Sequence, residues 1–122
     1  MRDQKTFYEH EREKWDRISG QKLDAAAKEQ LILKPGDDFY TYCQRDSVMF
    51  GVREFLGDLA GKSVLEVGCG SGKIAARVAK TGAHVTAFDL SPVSVEVAAT
   101  RASLNALLDR IHLTVAAGER FP

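Results

Sequence analysis

Val64-Leu65-Glu66-Val67-Gly68-Cys69-Gly70-Ser71-Gly72 joins a short apolar run to three glycines in five positions. The run from Ser63 to Val67 has the length and composition of a strand in a parallel sheet. Lys73 to Lys80 follows at once with helical spacing and is closed by Gly82. Residues 84–89, His84 to Asp89, read as a second strand. Ser91 suits a helix N-cap and Pro92 the first helical position, and that helix is expected to run to about Leu108. Ile111 to Val115 reads as a third strand.

Strand, helix, strand, helix, strand is a βαβαβ unit, in which right-handed crossovers make the sheet parallel. The expected fold class is therefore α/β: a Rossmann-like, doubly wound parallel sheet of which three strands are present, in the order 3-2-1, with helices over both faces. Ligands of such sheets bind beyond the carboxyl ends of the strands. The loop 68–72 lies at that end. Its glycines let the backbone approach a ligand closely, and the free N–H groups of the next helix favour an anionic or carboxylate-bearing group. Asp89 ends the second strand beside the loop, where a carboxylate suits the two hydroxyls of a ribose. A dinucleotide fingerprint, G-x-G-x-x-G, would place its third glycine at Lys73. Here it falls at Gly72, and Glu66 stands where dinucleotide folds usually carry an apolar residue. An NAD-binding module is thus the lesser alternative.

The front of the chain differs in character. Residues 1–38 hold 8 basic and 9 acidic side chains, half of the chain's charges, although the formal net charge is zero. That neutrality argues against a dedicated nucleic-acid binder. Length and a hydrophobic fraction of 44% allow one core without a disulfide or metal staple. No run of 18 apolar residues exists, so no membrane span is expected, and the charged N-terminus does not resemble a signal peptide; a cytoplasmic setting follows as the expectation. Helices are expected over residues 4–18, 23–33 (stopped by Pro35-Gly36) and 43–59. Residues 1–42 read as an N-terminal helical segment and 43–122 as the ligand-binding half-domain. Phe7, Trp15 and Ile18 share a helical face; Tyr8 and Trp15 read as core in such an apolar stripe, with their closure over a ligand as the alternative. Phe39, Tyr40 and Tyr42 are expected to pack against the sheet edge, with substrate or cofactor contact as the alternative. Cys69 reads as a small filler in the loop, Cys43 as filler elsewhere, and His10, His84 and His112 form no metal pattern.

The run 64–72 resembles the first motif of class I S-adenosylmethionine-dependent methyltransferases. Phe88-Asp89-Leu90-Ser91-Pro92 is similar to the acidic end of their second strand, and Val115 to Pro122 to the segment after their third. Trp15-Asp16 is similar to a helix preceding the domain in the small-molecule branch. The resemblance implies S-adenosyl-L-methionine as cofactor and a small-molecule methyl acceptor. It implies that Gly68, Cys69, Gly70, Ser71 and Gly72 line the methionine and ribose part, and that Glu66 orients the loop or the methionine amino group. Asp89 would then hold the ribose hydroxyls, Leu90 would pack on the adenine, and backbone groups of Gly118 and Glu119 would read the base edge. Ala117 stands where the family often has an acid. No catalytic base is identified. In that family the sheet continues beyond three strands, so the chain reads as the cofactor half of a larger domain, and strand 63–67 as an exposed edge open to self-association or a partner chain. Cofactor or partner binding without catalysis is the remaining alternative.

Overall fold

The computed structural model describes residues 3–120; Phe121 and Pro122, the end of the segment read above, lie outside the described residues. Three parallel strands form one sheet: β1 (Ser63–Val67), β2 (His84–Asp89) and β3 (Ile111–Val115), with β2 between the other two. This is the expected order 3-2-1, and the strand bounds agree with the sequence reading. Val67 pairs with Phe88 and Asp89 with Val115. That register brings the glycine loop and Asp89 out of the sheet side by side.

Two right-handed crossovers stepping in the same direction place their helices on the same face. α5 (Lys73–Lys80) and α6 (Pro92–Leu104) accordingly pack on the sheet and on each other. The expectation of helices over both faces is corrected. Leu65, Val67 and Val115 remain 53%, 63% and 48% exposed, and among the described residues β1 pairs with β2 alone. The core lies on the helical face. α5 supplies Ala75, Ala76, Val78 and Ala79, small residues that let the helix approach Val85 and Ala87 of β2 closely.

Local chemistry sets the helix ends. Ser91 caps α6, its hydroxyl accepting from the Ser94 N–H at 3.0 Å, and Pro92 opens the helix as expected. α6 ends at Leu104 rather than near Leu108. The Asn105 amide folds back to donate to the Arg101 carbonyl at 2.8 Å, and Ala106 turns to φ 55°.

The front helices are more broken than their periodicity predicts. α1 spans Gln4–Gly20 and packs along α6. In place of one helix over 23–33 there is a 3-10 turn at Gln21–Leu23, a single α turn α2 (Ala25–Lys28), and another 3-10 turn at Glu29–Leu31. Asp24, extended at ψ 143°, interrupts the helix. The helix expected over 43–59 is two helices, α3 (Phe39–Arg45) and α4 (Met49–Leu56). The Asp46 carboxylate accepts from the Val48 and Met49 N–H groups at 2.9 and 3.0 Å, capping a new helix where continuation was expected. Phe39 is buried, Tyr40 accepts from the Leu59 N–H at 2.6 Å, and Tyr42 stacks under the Arg77 guanidinium. Arg77 belongs to α5, so part of this aromatic cluster packs on a helix of the sheet's covered face.

Candidate functional site

The three loop glycines all have positive φ, at 70°, 54° and 76° for Gly68, Gly70 and Gly72. L side chains reach this region only with strain. Their surroundings differ. A Cβ on Gly68 or Gly70 would meet no atom within 4 Å, whereas one on Gly72 would lie 2.7 Å from the Ala98 Cβ and 3.0 Å from its Cα. The first two glycines keep an open cradle, and the third lets α6 press against the loop.

Asp89 organises the mouth of this cradle. Its Oδ2 accepts from the Gly70 N–H at 2.8 Å and its Oδ1 from the Ser91 N–H at 2.9 Å. Each oxygen keeps a free lone-pair direction. The carboxylate thus fixes the loop and still offers acceptors outward. A cavity of about 360 Å³ opens there, lined on the sheet side by Val67, Gly68, Gly70, Phe88, Asp89 and Leu90. Ala116, Ala117 and Gly118 close another side. Gly68, Gly70, Asp89, Leu90 and Gly118, all singled out from the sequence, are therefore brought together. Glu119 stands beside them but does not line the cavity; its carboxylate accepts from the Gln4 side-chain amide at 3.3 and 3.4 Å.

Glu66, Cys69, Ser71 and Gly72 face the protein instead. Glu66 is half-buried beneath the loop, where burial pushes its carboxyl up to about 7; the Ala75 N–H donates to it and counteracts this, and the Asp89 charge adds to it. Its Oε2 is buried with no hydrogen-bond partner. Burial, with the Asp89 and Glu66 charges, pushes the Cys69 thiol up to about 12. A thiol so placed stays protonated and unreactive, as expected for a filler. Ser71 is gripped from behind: the Lys22 ammonium donates to its hydroxyl at 3.1 Å and the Arg101 Nε to its carbonyl at 2.9 Å.

One wall of the cavity departs from the core expectation and agrees with the alternative for Tyr8 and Trp15 in placing both at the cavity. Phe7, Tyr8, Glu11 and Trp15 of α1 line it. The stripe read as core is open, with Phe7, Trp15 and Ile18 exposed at 48%, 43% and 41%. The signal was the charge density around these rings: a helix with so few apolar positions cannot bury a full stripe. Asp16 sets the helix in place. Its Oδ1 accepts from the Ser91 hydroxyl and from the Val93 N–H at 3.2 Å, adding a second cap to α6. Neither Asp16 nor Glu11 was among the candidate site residues. The Trp15 indole N–H donates to Glu11 at 3.2 Å, which fixes the ring at the cavity rim.

Residues 64–122 match the family described as "Methyltransferase domain". The mitochondrial ubiquinone biosynthesis O-methyltransferase of Schizosaccharomyces pombe is 46% identical over 50 residues, covering 41% of this chain and 18% of that protein. The ubiquinone biosynthesis O-methyltransferase of Xanthomonas oryzae pv. oryzae is 56% identical over 41 residues, covering 34% of this chain and 17% of that protein. The chain thus spans less than a fifth of the length of these two relatives. Among solved structures, magnesium protoporphyrin IX methyltransferase from Synechocystis PCC 6803 aligns with a TM-score of 0.55 at 22% identity, over 66% of this chain and 39% of that one. The cyclase SpnF aligns with a TM-score of 0.52 at 26% identity, over 61% of this chain and 29% of its own. Residues 64–122 are thus similar to the methyltransferase-domain family, and the three-stranded sheet has the Rossmann-like fold seen in magnesium protoporphyrin IX methyltransferase.

Proposed function

We propose that this chain binds S-adenosylmethionine at the carboxyl ends of β1 and β2 and serves methyl transfer to a small-molecule acceptor. The observation that carries this reading is Asp89, held by two backbone N–H groups at the mouth of an open glycine cradle. The room that a Cβ would fill at Gly68 and Gly70 is room for a ligand's polar backbone. The free lone pairs of Asp89 suit the two ribose hydroxyls. Leu90 and Ala117 offer the adenine an apolar wall. Ala117 brings no acid to the adenine amino group, so recognition of the base edge falls to backbone groups at Gly118 and Glu119. Glu66 supports the loop from below, and its buried, unpartnered oxygen would reach the methionine amino group through water.

S-adenosylmethionine supplies an activated methyl group on a positively charged sulfonium. The rings of Phe7, Tyr8 and Trp15 at the cavity favour a cation through their π faces. Methyl transfer is an in-line displacement, which positioning alone can accelerate greatly. A base is required only for an acceptor that must lose its proton early. No residue is assigned that role, and we expect weak or absent turnover from the 122-residue chain alone. Calorimetry with S-adenosylmethionine, S-adenosylhomocysteine and NAD tests the reading. The first two are expected to bind and NAD not, and Asp89→Ala should weaken binding by about 1–3 kcal/mol, the cost of orphaned polar groups. Tighter binding of NAD would overturn the assignment.

The likeness to the cyclase SpnF favours a second reading, cofactor binding without methyl transfer, because this fold also serves a protein named for another reaction. A robust methyl-transfer rate would exclude it. Self-association or a partner chain through β1 belongs to the same proposal; sedimentation as a monomer at all concentrations would remove self-association. Among the described residues no helix is long and apolar enough to cross a membrane. A cytoplasmic setting remains a proposal, testable by localising a tagged chain, since one relative is mitochondrial.

A further inference from the structure

Ser94, Ala98, Arg101 and Asn105 stand at i, i+4, i+7 and i+11, one stripe along α6 and its C-cap. Each touches the glycine loop or the front segment. The Ser94 hydroxyl shares a buried hydrogen bond of 2.7 Å with the Ser19 hydroxyl. Ala98 fills the space beside Gly72. Asn105 donates to the Leu31 carbonyl at 2.9 Å and accepts from the Leu33 N–H at 2.7 Å. Arg101, only 3% exposed, does both jobs. Its Nε donates to the Ser71 carbonyl at 2.9 Å, one Nη to the Ser71 hydroxyl at 3.5 Å and the other Nη to the Leu31 carbonyl at 3.5 Å. Lys22, from the front segment, meets the same Ser71 hydroxyl.

We propose that Arg101 is a positioning residue that holds the glycine loop in its binding shape only while residues 19–33 are docked on α6. The proposal rests on the cofactor reading above for its ligand, but its structural logic is separate. A guanidinium is a rigid fork, so one orientation serves both Ser71 and Leu31. A buried cation is costly when its donors lack acceptors. Undocking of the front segment removes the Leu31 carbonyl and the Lys22 ammonium together, and water then competes for the guanidinium. Ser71 loses its grip on both its carbonyl and its hydroxyl. Because such coupling is reciprocal, a ligand that orders the loop also tightens the front segment.

Asn105→Ala is the informative variant, because Asn105 holds the front segment and makes no hydrogen bond to the loop. Amide exchange of the ligand-free chain gives the first readout. Exchange of the Gly72 N–H, bonded to the Cys69 carbonyl, should quicken about fivefold or more, while the Val85 N–H in the sheet stays unchanged. Titration with S-adenosylhomocysteine gives the second: Kd should rise about three- to tenfold in Asn105→Ala and further in Arg101→Met, with Arg101→Lys between because it restores one bond to Ser71. Should Arg101→Met fail to fold, the other two variants carry the test. If the wild type binds, equal affinities across the folded variants overturn the proposal, whatever the exchange shows. If the wild type does not bind, the cofactor reading falls, and the exchange alone decides the coupling: unchanged Gly72 exchange in Asn105→Ala overturns it.

Discussion

The glycine loop has two sides built on opposite principles. Toward the cavity, Gly68 and Gly70 face open room, and the polar groups there are arranged by one carboxylate, Asp89, with acceptor capacity to spare. Toward the protein, Gly72 is crowded by Ala98, Ser71 is held by two cations, and Glu66 is half-buried with an orphaned oxygen. The same residue type therefore keeps room open on one side and permits close packing on the other. A substitution that looks identical in sequence should read out as lost affinity or as lost stability, depending on which side it strikes.

Gly72→Ala should have the largest effect on stability. The added Cβ would overlap α6 backbone and side chain while adopting φ 76°. Left-handed strain of about 1–2 kcal/mol and overpacking of about 1–3 kcal/mol together predict a loss of about 2–5 kcal/mol in urea unfolding. Gly70→Ala meets no neighbour, so it should cost only the strain, about 1–2 kcal/mol. Its larger consequence should be in calorimetry, where S-adenosylhomocysteine affinity is expected to fall about tenfold or more, as the Cβ enters the cradle. Equal stability losses at the two positions would erase the distinction between the two sides.

That distinction was only partly legible in the sequence. The strands and both crossover helices announced themselves because apolar runs, glycines and a Ser-Pro cap agree locally and their packing is regular. Gly68, Gly70, Asp89 and Leu90 were legible for the same reason, since chain order alone puts them at the strand ends. The division of labour among the glycines was not, because the contact between Gly72 and Ala98 joins residues 26 apart in sequence. The front was harder still. Asp24 and Asp46 sit within helical periodicity, yet one breaks the helix and the other caps a new one. The place of Phe7 and Trp15 at a cavity wall depends on the docking of α1 through Asp16 and Ser19, which no local pattern encodes.

Glu66 gives the smallest effect and probes the floor beneath the loop. Its folded-state carboxyl lies near 7 against an ordinary 4.5, chiefly because burial disfavours the charge. Between those values the unfolded chain has released the proton and the folded chain still holds it. Stability therefore falls as pH rises from about 4.5 to about 7 and levels off above, because the folded state binds more protons in that window. Glu66→Gln removes the titration and the histidines are common to both proteins, so the difference between variant and wild type isolates this carboxyl. From pH 5 to pH 8 the variant should gain about 1 kcal/mol relative to the wild type, a value reduced for the solvent screening of a half-buried group. A difference that stays flat with pH would mean that the floor is as well satisfied as the mouth. A bound ligand that offers its ammonium to Glu66 should draw the carboxyl back toward its ordinary value, so S-adenosylhomocysteine should flatten the wild-type curve in the same window.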